Sequence, residues 1–213
     1  PCANKNHQDP TPPPVYKAYP RRWYILFLLS MASMQQSCTW MTFSPISKEV
    51  KELYGFSSST IDLLAAWGPI VYLPVVLVSP RMADFLGIRA CITVAAACTC
   101  ACNVLRAITT TAPYAEILAH AAQMLNAFSG PFVLATPSKL SSDWFPPHQR
   151  TFATSIGVML NYTGTGVGFL LALPVSSPHH VKPLLCAHVL PTALVFLGVW
   201  VWVPHYGKPP PPP

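Results

Sequence analysis

Residues 80–89 read PRMADFLGIR and place three charged side chains, Arg81, Asp84 and Arg89, around Gly87. Lys and Arg are absent from the apolar stretches on either side, residues 63–80 and 90–105. A helix needs about 20 mostly apolar residues to cross a bilayer, and these stretches approach that length. The segment is therefore predicted to be the turn between two membrane-spanning helices.

The composition agrees with a membrane protein. The chain has 213 residues, of which 52% are hydrophobic and only 9% are charged, whereas about 25% of residues in a soluble domain are charged. The mean hydropathy of +0.39 is modest because proline-rich sequence stands at both ends, DPTPPP and KPPPPP. Such sequence cannot bury a core, so residues 1–20 and 205–213 are interpreted as solvated tails. A chain that starts at Pro1 and stops in such a run is interpreted as a fragment.

The charge-free stretches predict an all-α membrane protein with six transmembrane helices. A helix in lipid tolerates proline when neighbouring groups satisfy its backbone, so the helices should continue through Pro69, Pro74, Pro131 and Pro191. The predicted spans are residues 23–44, 61–80, 88–110, 115–138, 151–174 and 184–204.

The basic residues predict the orientation. With a cytoplasmic N-terminus, nine of them fall on the cytoplasmic side and four, including Arg106, on the other, as the positive-inside rule requires. Both ends are therefore predicted to be cytoplasmic. The formal charge of +6 then needs no nucleic acid as a partner, because basic residues at the inner surface meet anionic lipid head groups. The cytoplasmic set is Lys5, Lys17, Arg21, Arg22, Arg81, Arg89, Lys139, Arg150 and Lys208.

The D-x-x-G-x-R spacing of Asp84, Gly87 and Arg89 resembles the signature loop of the major facilitator superfamily. Longer stretches, YGFSSSTIDLLAAWGPIVYLP at 54–74, AAQMLNAFSGP at 121–131 and the run from 135 to 169, are similar to the feline leukaemia virus subgroup C receptor-related family, and within it to the disrupted in renal carcinoma 2 branch. The resemblance implies the N-terminal half of a twelve-helix fold. Residues 21–204 would then form two three-helix repeats, a C-terminal six-helix half would be missing, and 205–213 would start the central linker.

Each residue of the signature loop has an expected part. Gly87 permits a tight turn, Asp84 can accept from backbone amides at a helix N-terminus, and Arg89 can pair with a carboxylate or a phosphate. Together with Arg150 they are predicted to form a conformational loop. An ordinary polar turn with positive-inside charges is the alternative.

Polar and aromatic side chains inside the spans are the candidates for solute binding. Gln36 and Trp40 lie one turn apart in the first span, and helical spacing puts Gln123 and Asn126 on one stripe of the fourth. The fifth span offers Asn161. The resemblance implies that Trp40, Gln123 and Asn161 line a pocket for a small amphipathic nutrient, since family members are associated with choline, haem and pyridoxine.

These candidates also have structural interpretations. Trp40 lies near the end of its helix and could belong to an aromatic belt at the membrane surface. Gln123 and Asn126 could serve only to join helices through hydrogen bonds.

Glu116 and His120, four residues apart in the fourth span, are candidates for proton coupling because a carboxylate beside an imidazole favours its protonated form. His120 could instead be a packed neutral side chain. Arg106 could pair with Glu116 and make the acid structural.

We therefore expect a secondary transporter that works by alternating access on a small organic solute, in a plasma or lysosomal membrane. The alternative is a truncated half-transporter with a binding or regulatory role. The sequence shows neither paired carboxylates nor a Ser-His-Asp set, so no enzyme is expected. Cys98, Cys100 and Cys102 cannot share one helical face, and no metal site or cofactor is expected.

Overall fold

The computed structural model describes residues 20–109 and 114–203, which are helical apart from short turns. The predicted tails, 1–20 and 205–213, fall outside the described residues except for Pro20. The helices are α1 (Arg21–Met41), α2 (Ser47–Tyr54), α3 (Ser58–Phe85), α4 (Gly87–Ile108), α5 (Tyr114–Trp144), α6 (Pro147–Ala172), α7 (Pro178–Ala187) and α8 (Val189–Trp202).

Five segments of the described chain are long and apolar enough to cross a membrane: α3, α4, α5, α6 and the stretch Pro178–Trp202 that contains α7 and α8. The chain is an integral, multi-pass membrane protein. The predicted first span corresponds to α1, which has 21 residues but is not one of the five. The second half of α1 is rich in hydroxyl and amide side chains. A sixth crossing therefore stays a prediction.

The segment 80–89 turns the chain where the sequence predicts, but the turn is far shorter than expected. Helix α3 continues to Phe85 and α4 begins at Gly87, so only Leu86 lies between them. Gly87 has a φ of 82°, a left-handed value that glycine adopts without steric cost. Most of the predicted loop is helix because charged side chains at the end of a long helix can reach water without leaving the helix.

Other boundaries also differ from the prediction. Helix α5 extends to Trp144, and the last span starts at Pro178 and is interrupted at His188. A short additional helix, α2, stands between the first two spans. The helices continue through Pro69 and Pro74 in α3, through Pro131 in α5 and through Pro191 in α8, as expected.

Helix α1 occupies the middle of the bundle and packs against α4, α5, α6 and α8. At its N-terminal end Ile25 and Leu29 join a buried apolar cluster with Ile92 and Leu140. A second buried cluster lies at the other end, beneath α2 and α7. Between these clusters α1 presents its polar residues to the neighbouring helices. The candidate site lies in this region.

Helices α1 and α6 approach each other along glycines. A Cβ atom at Gly164 would overlap the backbone of Met34, and one at Gly168 would stand 3.0 Å from the carbonyl oxygen of Cys38. Gly166 faces open space. Small residues let backbones come close in membrane bundles, where van der Waals packing drives helix association. Gly164 and Gly168 therefore permit the close approach of α1 and α6.

We expect Gly164→Ala to lower the thermal stability of the chain strongly, because the two backbones must separate to admit the methyl group. Overpacking of this kind costs about 1–3 kcal/mol. Gly166→Ala is the matched control and should leave the melting temperature unchanged or slightly raised, since alanine favours a helix. Thermal unfolding in detergent, followed by size-exclusion chromatography, measures both; equal effects would contradict the close approach of α1 and α6.

Candidate functional site

A cavity of about 240 Å³ lies between α1, α3, α5 and α6. Three residues predicted from the sequence, Gln36, Trp40 and Asn161, line it together. Predicted candidates from helices far apart in sequence thus meet at one place. The other lining residues are Ser37, Gly68, Pro69, Tyr72, Ala127, Gly130 and Leu134.

The indole of Trp40 lies directly over Gly68 of α3, at a point where a Cβ atom would overlap the ring. Trp40 is only partly exposed. The same side chain also lines a second cavity of about 270 Å³, together with Asp62 and Gln123. Trp40 therefore stands between two cavities.

Gln36 and Asn126 join α1 to α5 by a reciprocal pair of hydrogen bonds. The amide nitrogen of each donates to the backbone carbonyl oxygen of the other, and both distances are 3.3 Å. Asn126 is fully buried and is absent from the lining of both cavities described above. Its contacts match the structural interpretation, whereas Gln36 both joins the helices and faces the cavity.

Helix α6 is joined to α1 in a similar way. The Asn161 amide donates to the backbone carbonyl and to the hydroxyl of Ser33, each at 3.1 Å. Ser37 and Thr165 share a hydrogen bond of 2.7 Å one turn further along. Asn161 is therefore held in a fixed orientation beside the cavity.

Arg106 of α4 is the polar residue whose position the sequence analysis missed. It is 1% exposed, donates from Nη1 to the carbonyl of Thr39 at 2.8 Å and from Nη2 to Oε1 of Gln123. Its guanidinium lies 4.4 Å from the centre of the Phe43 ring. Its suggested pairing with Glu116 is therefore wrong, because its partners are Thr39 and Gln123.

A sequence signal for this buried position does exist. Asn103, three residues earlier on the same face of α4, is also buried and donates to the Thr39 hydroxyl at 3.0 Å. Two polar residues spaced by one helical turn in an apolar stretch indicate an inward face.

Glu116 and His120 share one side of α5, as predicted. The Glu116 carboxylate accepts a hydrogen bond of 2.7 Å from Thr60 of α3 and lies 3.9 Å from Nε2 of His120. Trp67 donates its indole N–H to Nδ1 of His120 at 2.9 Å. With Nδ1 accepting, Nε2 is the ring nitrogen on the side of the carboxylate, at a distance beyond that of a direct hydrogen bond.

The residues of the signature loop have partners other than those expected. Asp84, in the last turn of α3, pairs with Lys139 of α5 at 2.8 Å instead of capping a helix. Arg89 donates to the backbone carbonyl of Trp200 at 3.0 Å rather than to a carboxylate or a phosphate. Arg150 donates from Nε to the carbonyl of Phe145 at 3.1 Å. The loop thereby connects α3 to α5 and α4 to α8.

Residues 25–213 match the family model of the Major Facilitator Superfamily. The solute carrier family 49 member 4 homolog of Xenopus tropicalis is 35% identical over 182 residues, which are 83% of this chain and 39% of that protein. The choline/ethanolamine transporter flvcr2b of Danio rerio is 30% identical over 92% of this chain and 40% of its own length. The human choline/ethanolamine transporter FLVCR2 is 27% identical over 78% of this chain and 31% of its own.

These relatives confirm the resemblance drawn from the sequence motifs. They also show that the chain spans about two fifths of the length of the first relatives it matches.

Replacing Arg106 by Gln should destabilise the chain by about 1–3 kcal/mol, the usual cost of leaving a buried hydrogen-bonding group unsatisfied. The change leaves the Thr39 carbonyl and the Gln123 amide oxygen without their donor. The matched control is Arg81→Gln, which removes an exposed guanidinium from α3. Retention of monodisperse protein on heating in detergent measures both; a loss no greater for Arg106→Gln than for Arg81→Gln would contradict the assignment.

Proposed function

The chain belongs to the major facilitator superfamily, and from this premise we propose that it is the N-terminal half of a secondary transporter that moves a small organic solute by alternating access. In this proposal α1 also crosses the membrane, which brings the number of transmembrane helices to six. The first three-helix repeat consists of α1, α3 and α4. The second consists of α5, α6 and the last span, which contains α7 and α8. Both ends of the chain lie in the cytoplasm, the proline-rich segment 205–213 opens the central linker, and a C-terminal half completes the cavity.

The observation that carries the proposal is the 240 Å³ cavity with Gln36, Trp40 and Asn161 on its wall. Its named lining residues are neutral: aromatic rings from Trp40 and Tyr72, and amide or hydroxyl groups from Gln36, Ser37 and Asn161. Such a wall suits an amphipathic solute, because rings stack on a flat or cationic group while amides bind its polar atoms.

We propose a choline-like amino alcohol or a flat vitamin such as pyridoxine as the solute. Two of the relatives named above are choline/ethanolamine transporters, and a quaternary ammonium is a preferred ligand of a tryptophan face. A haem-like solute is the less favoured candidate. It is much larger than choline, so the C-terminal half would have to supply most of the volume of its binding site. Gln123 enters the proposal through the second cavity, which it lines together with Asp62. Asn126 enters it as a support for Gln36.

Proton coupling is proposed for Glu116 and His120. They lie 3.9 Å apart, and the Glu116 side chain is 52% exposed, so a proton can reach the pair from water. The Thr60 and Trp67 hydrogen bonds fix both side chains relative to α3. A movement of α3 against α5 would change these bonds and so connect protonation to rocking of the half.

The alternative function is a half-transporter with a binding or regulatory role and no transport activity alone. It shares the cavity but needs no second half. Uptake measured in liposomes discriminates the two, because the 213-residue chain alone should be inactive in both cases, whereas a longer protein that carries it should transport only in the first. The location of that longer protein in cells would show whether it belongs to the plasma membrane or the lysosomal membrane.

We expect Trp40→Ala in the longer transporter to reduce choline or pyridoxine uptake by about three- to thirtyfold, because a cation–π contact contributes about 0.5–2 kcal/mol. Trp40→Phe should cost less, since a smaller aromatic face remains. Trp202→Ala is the matched control, because that indole is 64% exposed on the outside of the bundle. Radiolabelled uptake at equal surface expression is the measurement. An unchanged rate with Trp40→Ala would remove Trp40 from the solute site.

Uptake by the longer transporter should increase as the outer solution is acidified, and His120→Gln or Glu116→Gln should flatten this dependence. Each change removes one member of the pair proposed to carry the coupling proton. Glu52→Gln, at an exposed carboxylate of α2, should keep the parent's pH profile. If both α5 variants also keep it at matched expression, the coupling proton is carried elsewhere.

A further inference from the structure

A groove outside the proposed solute site lies between α4 and α8. It measures about 740 Å³ and runs between the start of α4 and the end of α8. Its polar members are Arg89 and Thr93, four residues apart on one face of α4. Apolar side chains form the rest of its wall, together with the indole of Trp200: Leu86, Ala90, Val94, Val201 and Val203.

Arg89 has an incomplete set of partners within residues 20–109 and 114–203. Its Nη2 donates to the Trp200 carbonyl, but Nη1 has no hydrogen-bond partner there, nor does the Thr93 hydroxyl. No carboxylate of the described chain lies within 4.0 Å of the guanidinium. A guanidinium carries five N–H donors and is rarely left without an anion away from bulk water.

Exposed aromatic side chains indicate the level of the groove relative to the membrane. Trp200 and Trp202 at the end of α8 are 57% and 64% exposed, and Trp23 and Tyr24 at the start of α1 are 40% and 39% exposed. Tyr24 and Trp202 contact edge to face, with ring centres 6.1 Å apart. Exposed Trp and Tyr side chains collect at the level of lipid head groups. Arg89 therefore lies where the phosphates of one leaflet are found.

We propose that this groove binds an anionic phospholipid, whose phosphate accepts hydrogen bonds from Arg89 and Thr93 and whose acyl chain lies along Val94 and Val201. No carboxylate of the described residues lies within 4.0 Å of this positive charge, so a lipid with net negative charge is favoured over a zwitterionic one. Arg–phosphate contacts are charge-assisted and among the stronger hydrogen bonds in proteins. The bond from Arg89 to the Trp200 carbonyl joins α4 to α8 and holds the guanidinium at the edge of the groove. A lipid bound to Arg89 would therefore also stabilise the contact between α4 and α8.

The test is native mass spectrometry of the full chain in detergent, titrated with phosphatidylglycerol or phosphatidylcholine. The parent should retain phosphatidylglycerol preferentially, and Arg89→Gln should reduce the lipid-bound fraction at least threefold. Arg81→Gln is the matched control and should bind as the parent does. Thr93→Val gives an independent variant that keeps the charge and the helix; it should lower binding by a smaller factor while the melting temperature without lipid stays the same.

Three results would overturn the proposal. One is equal retention of phosphatidylglycerol by Arg89→Gln, Thr93→Val and Arg81→Gln. Another is retention of phosphatidylcholine as strong as that of phosphatidylglycerol, which would remove the role of net charge. The third is displacement of the lipid by millimolar inorganic phosphate, which would show a free-phosphate site. The measurement does not depend on transport, so it stands or fails apart from the proposed function.

Discussion

The polar face of α1 is the constraint around which the bundle is arranged. Hydrocarbon offers no hydrogen-bond partner, so each amide and hydroxyl group on a helix inside the membrane needs a partner from protein or trapped water. Three side chains of α1 find such partners on neighbouring helices: the Ser33 hydroxyl accepts from Asn161 of α6, Gln36 exchanges bonds with Asn126 of α5, and the Thr39 hydroxyl accepts from Asn103 of α4. The same bonds that satisfy α1 fix the side chains around the cavity.

The packing of the bundle and the proposed solute site therefore share residues. Gln36 faces the cavity with the same side chain that binds α5, and Asn161 faces it while donating to α1. Trp40 is positioned by packing instead, over the bare backbone at Gly68. A solute that binds between these groups contacts three helices that already hold one another, so the wall is preorganised and little conformational entropy is lost on binding.

The sequence predicted the features that follow from local composition. Charge-free stretches located α3, α4, α5 and α6, and the helical spacing of Glu116 and His120 predicted their shared face, because both depend on neighbours along the chain. The inward position of Arg106 was missed because the residue was treated as a lone basic side chain near a helix end, although Asn103 one turn earlier indicates an inward face of α4. Arg89 was expected to meet an anion, and its bond to the Trp200 carbonyl could not be foreseen, since α8 lies more than a hundred positions away.

The polar face of α1 also affects membrane insertion, because α1 is synthesised before the helices that provide its hydrogen-bond partners. Helix α1 leaves the ribosome before the helices that satisfy its Ser33, Gln36 and Thr39 have been made. Helix α6, which supplies Asn161, follows roughly a hundred residues later, a delay of about 5–20 s at about 5–20 residues per second. During that interval α1 has neither an apolar surface sufficient for lipid nor its partners in protein. We therefore expect it to be retained beside the insertion machinery, shielded from lipid, until α4, α5 and α6 arrive to enclose it.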